Sequence, residues 1–319
     1  MLPQQLGGVT LGVVYDGPTR SIRPILGVAG GARFGEPLMS RLEWGSMSPD
    51  GSVGLFSRQR QMSVGRVGQD GSVVLSALDS IPGIPDRMAW SRSSQAAAMW
   101  FRKTGAVYTV TQLQGEPVVS GPMDISAMPA NVTALAISTG GEQLFVGVTD
   151  PSAGGVYLVQ ADQPPVCLYQ LASPAAMAFS PAGSHLFVSD SDTGQILDLR
   201  VSGNALTASV LALDAFAPTG PSAIGVSQDG TRVILVSQSA PTARLYDAAT
   251  GNLIAEIMTD VVKSSSAHGR PPTLDPIGRN DIFWMGGRIG SHDPAWLLST
   301  RQNLGAFFIP AVALVGGIR

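Results

Sequence analysis

Four stretches of this chain carry residue types that do chemistry. Ser291-His292-Asp293 brings a hydroxyl, an imidazole and a carboxylate together. A triad is assembled from separate segments, so neighbouring residues cannot form its chain of hydrogen bonds. His268, in Ser264-Ser-Ser-Ala-His-Gly, could approach Asp293 or Arg288 and act as a general base. His268, His292 and Asp293 are therefore the catalytic candidates. Asp190-Ser-Asp192-Thr-Gly has the Asp-x-Asp spacing of a calcium loop, but Val201 stands where the closing Glu is needed. It reads as a strand-connecting turn, and no metal site is expected. Gly27-Val-Ala-Gly-Gly-Ala-Arg33 is glycine-rich without a following helix, so it reads as a tight connection between structural units, not a phosphate cradle. No cofactor is expected.

Single residues add little chemistry. Cys167, the one cysteine, lies in the apolar run Val166-Cys-Leu-Tyr169 and reads as a buried small hydrophobe. It excludes an internal disulfide and a thiolate metal cluster. His185 opens a strand and is expected at a sheet edge. Trp44, Trp90, Trp100, Phe101, Trp284 and Trp296 read mainly as packing, with Trp100 and Trp296 able to line a ligand surface.

Positioning these groups falls to a repeat. A module of large, small, large, Ser recurs as Met88-Ala89-Trp90-Ser91, Leu135-Ala136-Ile137-Ser138, Met177-Ala178-Phe179-Ser180 and Ile224-Gly225-Val226-Ser227. Gly45-Ser46-Met47-Ser48 is a weaker copy and Pro272-Thr273-Leu274-Asp275 a degenerate one. The spacing of roughly 40–50 residues, with several strands per repeat, is that of a β-propeller blade. Large/small alternation fits a strand buried on both faces. Turns such as Ser48-Pro-Asp-Gly51 and Ser227-Gln-Asp-Gly230 follow. The expectation is an all-β, single-domain propeller over residues 1–319. It has seven four-stranded blades, with six the alternative. The strands Val9 to Tyr15 and Ser21 to Leu26 are expected as outer strands of a blade completed by Ala311 to Gly317, so that N- and C-terminal strands close the ring.

The composition agrees. Glycine (38) and proline (23) punctuate the chain, 13% of residues are charged and the formal charge is −3. That charge gives no bulk attraction to nucleic acid or to an anionic membrane. The start lacks the basic and apolar regions of a secretory signal, and Gly305 to Gly316 is too short to span a membrane.

The stretches Pro221 to Ser237, Ala243 to Ile257 and Pro174 to Leu199 resemble bacterial YVTN-type β-propeller repeats. The resemblance is clearest over residues 130–260. It implies an exported bacterial protein, periplasmic or on the cell surface, with any signal peptide absent from this chain; a cytoplasmic protein is the alternative. Propellers bind through loops, and on this register Arg58, Arg60, Arg102, Lys103, Asp150, Asp190, Asp192 and Arg288 gather at one mouth of the central channel. Basic early blades and acidic middle blades would orient a protein, glycan or small molecule. The expected function is non-enzymatic binding by a monomer. A lactonase-like hydrolase, by resemblance to propellers of that class, and a structural module of a cell-envelope assembly are the alternatives.

Overall fold

The repeat serines build the fold locally. Ser48, Ser91, Ser138, Ser180 and Ser227 are buried, and each ends the first strand of a sheet. The N–H of each donates to the carbonyl of the residue five further on: Val53, Ala96, Gln143, His185 and Arg232, at 2.8–2.9 Å. Each hydroxyl in turn accepts the N–H of that same residue, at 2.9–3.2 Å. One side chain thus satisfies a buried donor that the tight turn would otherwise orphan.

The structure, a computed structural model, describes residues 9–129, 131–213, 223–237, 242–258, 274–278, 281–285, 295–300 and 304–309. They form seven antiparallel sheets and, among the described residues, no helix. The first sheet is β1 (Thr10–Asp16), β2 (Ser21–Leu26) and β3 (Arg33–Phe34); the second is β4 (Trp44–Met47), β5 (Val53–Arg58), β6 (Gln61–Val67) and β7 (Val73–Ala77). The third is β8 (Arg87–Trp90), β9 (Ala97–Phe101), β10 (Ala106–Thr111) and β11 (Val118–Asp124); the fourth is β12 (Val132–Ile137), β13 (Leu144–Val148), β14 (Gly155–Val159) and β15 (Val166–Gln170). The fifth is β16 (Pro174–Phe179), β17 (His185–Asp190), β18 (Ile196–Ser202) and β19 (Ala205–Ala212); the sixth is β20 (Ala223–Val226), β21 (Arg232–Val236), β22 (Thr242–Asp247) and β23 (Leu253–Met258). The last is β24 (Asp275–Ile277), β25 (Ile282–Met285), β26 (Ala295–Ser299) and β27 (Gly305–Ile309). Each is an up-and-down meander. The fold is a seven-bladed β-propeller.

The chain divides into two compact units. One, Pro85–Leu274, holds the third to sixth sheets, with first strands β8, β12, β16 and β20 side by side. The small repeat positions face large partners across the ladder: Ala136 opposite Phe145, Ala178 opposite Phe187, Gly225 opposite Ile234. Successive sheets then bury continuous apolar layers, such as Phe145 and Leu158 against Phe179 and Leu186. The open edges of the first strands are capped from the sheet before. Arg87 Nε donates to Val132 O at 3.0 Å, Ser93 Oγ to Thr139 O at 2.5 Å, and Thr133 Oγ1 to Pro174 O.

The other unit comprises Met1–Ile84 and Asp275–Arg319. Here β1 lies beside both β24 and β4, so it is the first strand of its own blade and not an outer strand. The reason is burial on both faces: Leu11 and Val14 pack with Ile277 and Trp284, and Val13 packs with Met47 and Phe56. The blade has three described strands, and Ala311 to Gly317, expected to complete it, lies outside the described residues. The degenerate repeat copy is also shifted. The strand there is Asp275–Ile277, so Gly278, not Asp275, takes the place of the serine. Gly27 to Arg33 joins β2 to β3 within one sheet instead of joining blades, through a turn closed by Gly31 N–H on Val28 O.

Candidate functional site

At one end of the Pro85–Leu274 unit, the chain entering the third, fourth and fifth sheets is bonded to the segment around the hairpin between the second and third strands of each. Asp86 donates its N–H to Trp100 O (2.9 Å) and its carboxylate accepts the Arg102 N–H (2.8 Å). Asn131 O accepts from Thr149 N–H and Ser173 O from Ser191 N–H.

Their side chains divide into two kinds. Asp190 is buried, and its carboxylate accepts the Asp192 N–H (3.1 Å) and the Thr193 hydroxyl (2.7 Å). The Asp150 carboxylate accepts the N–H groups of Ser152 and Ala153 and the Ser152 hydroxyl. These bonds, the Ser152 N–H foremost, hold its carboxyl below the usual carboxylate range. Both acids are spent on turns. Arg102, Lys103 and Asp192, by contrast, are exposed. The Arg102 guanidinium lies 5.5 Å from the Trp100 ring centroid. Trp100 itself is 3% exposed inside an apolar cluster, so it packs, as its main reading had it, and does not line a ligand surface. Trp296 is half-buried against Phe308.

In the other unit, Arg58 and Gln61 close a tight turn in which Gln59 and Arg60 both take positive φ. Both arginines are exposed, and Glu43 holds the turn by accepting the Arg60 N–H (3.0 Å) and the Ser57 hydroxyl (3.2 Å). Glu43 and Asp86 escaped sequence reasoning. Their shared signal is an acid five residues ahead of a repeat serine.

Cys167 is exposed and not buried, because β15 is the outer edge strand of its sheet. The candidates His268, His292, Asp293 and Arg288 lie outside the described residues. Among the described residues, no three His, Cys, Asp or Glu side chains cluster as metal ligands would. His185 sits on the second strand of its sheet, its ring nitrogen paired to Asp198.

One buried acid has a consequence for stability. Asp16, 5% exposed, accepts the Thr19 hydroxyl and lies 3.5 Å from Arg23 Nε. Burial raises its carboxyl above the ordinary value, against the lowering effects of Thr19 and Arg23. A raised carboxyl stabilises the fold fully below its unfolded pKa and loses that contribution as pH rises through the folded one. Asp16→Asn keeps an acceptor for Thr19 and removes the titration. Denaturant melts at about pH 3 and about pH 7 should therefore show the variant gaining on the native chain at the higher pH. A gain in the opposite direction would refute the assignment.

No family model matches the chain, and no curated protein matches it. The YVTN-type resemblance accordingly stands on the repeat residues alone. Solved structures do match. A protein from Lactobacillus plantarum is 13% identical at a TM-score of 0.61, over 95% of this chain and 98% of that one. The Cps50 (Swd1) beta-propeller domain of Myceliophteria thermophila is 12% identical at 0.53, over 88% and 94%. A "putative 6-phosphogluconolactonase" from Bacteroides uniformis is 18% identical at 0.55, over 78% of each chain. At these identities the likeness concerns the fold alone: this chain shares the β-propeller fold of those proteins.

Proposed function

We propose that the protein is a recognition module without chemistry of its own, which contacts a protein partner through Arg102, Lys103 and Asp192. The observation that carries this reading is the division of labour among the loop groups. Asp86, Asp150 and Asp190 are committed to holding loop shape, while the basic pair and Asp192 are left exposed on the same end of one unit. Rigid loops that present separated charges favour orientation of a partner over proton transfer. The partner is a segment carrying an acidic group and a basic group at matching separation.

The test is charge reversal, Arg102→Glu with Lys103→Glu, with capture of partners from an envelope extract as readout. Both residues are exposed, so the melting temperature should not change. Capture should fall about tenfold or more and weaken with salt. Undiminished capture by the reversed variant, or turnover of a lactone by the native chain, would sink the proposal.

A further inference from the structure

Toward the opposite end of the fifth sheet, three polar side chains stand in one transverse row. His185, Arg200 and Thr207 are register partners across β17, β18 and β19, so they leave the same face. On that face Phe187 and Ile196 pack with Val233 and Leu235 of the next sheet. Farther out the row is uncovered. Arg200 and Thr207 are exposed, and the His185 side chain is 34% exposed.

The imidazole is held in one orientation. Its Nδ1 lies 2.8 and 3.0 Å from the two oxygens of Asp198, and the ring stacks on Phe187 at 6.2 Å and 14°. In the neutral ring, the nitrogen facing a carboxylate carries the proton and donates, which leaves Nε2 as an acceptor. Among the described residues, neither Nε2, nor the Arg200 guanidinium, nor the Thr207 hydroxyl has a hydrogen bond or ion pair. Asp198 is engaged by His185, so Arg200 supplies the unmatched charge of the row.

We propose that this row binds an acidic sugar. Its carboxylate takes the planar fork of Arg200, and a ring hydroxyl donates to His185 Nε2 with Thr207 beside it. A simple carboxylate lacks the hydroxyl that an oriented acceptor selects. A neutral sugar lacks the charge that Arg200 requires.

The full chain would be titrated with D-glucuronate, D-glucose and acetate, following the His185 ring protons by NMR and heat by calorimetry. Saturable glucuronate binding is expected, with glucose and acetate each about tenfold weaker or more. Arg200→Gln, an exposed change that should leave the melting temperature alone, is expected to lose about tenfold or more. Thr207→Ala should lose less. Acetate binding as well as glucuronate, no saturation, or unchanged binding by Arg200→Gln would each overturn the proposal. The Arg102/Lys103 reversal should leave glucuronate binding intact, so failure here is separable from failure of the recognition reading.

Discussion

Phe145→Ala is expected to lower the free energy of unfolding by about 3–5 kcal/mol. Phe145 is fully buried in β13, with Ala136 across one ladder and Leu158 across the other. Its ring meets Phe179 of the next sheet edge-on, with centroids 5.6 Å apart. Truncation would open a void between two sheets whose backbones are each held by antiparallel ladders, so the walls cannot collapse into it. A volume loss that cannot relax costs the transfer of the ring and the cavity as well. Urea melts of this variant and of Val166→Ala make the comparison. Val166 is 49% exposed on the outer strand, and its truncation should stay within about 0.5 kcal/mol. A Phe145→Ala loss below about 1 kcal/mol would show that the packed layer does not carry the stability argued here.

Gly251→Ala should cost about 3 kcal/mol, through a different cause. Gly251 lies in the turn between β22 and β23 with φ +71°, and its N–H bonds Asp247 O. A Cβ there would stand 1.6 Å from the carbonyl oxygen of Leu211 in the preceding sheet. That neighbour is main chain of β19, at the bulge in its pairing with β18, and not the movable end of a side chain, so relief requires the backbone of the two sheets to part. Gly203 separates the two contributions. It has φ +58° with nothing within 4 Å of its Cβ site, so Gly203→Ala should cost only the left-handed conformation, about 1 kcal/mol. Equal losses from the two variants would remove the case for close approach at Gly251.

Much of this was legible in the residues because it is local. The serine repeat could be read because one hydroxyl and one N–H both bond to the residue five further on, whatever surrounds them. Large/small alternation could be read because each small residue lies across a ladder from its partner strand, as Ala178 does from Phe187. The same turn geometry explains why Asp190-Ser-Asp192 looked like a calcium loop. Asp-x-Asp spacing suits a carboxylate that receives an N–H two residues on as well as it suits a cation.

Other features depended on what covers a strand. Val166-Cys-Leu-Tyr is apolar enough to be core, yet its strand is the last of its sheet and Cys167 meets solvent. The strand beginning at Thr10 looked peripheral, yet sheets from both ends of the chain enclose it. The loop charges show the same limit. Arg102 and Asp190 are equally polar as letters, but only the bonds each makes show that one is presented and the other spent.

The sequence by itself determined the strand module and its turns and narrowed the blades to seven or six, because these rest on contacts a few residues long and on a periodic pattern. Tertiary structure decided which strand comes first in the N-terminal blade, which apolar run is exposed and which charges are free. Those outcomes turn on burial and hydrogen bonds between segments far apart in the chain, where no spacing rule reaches.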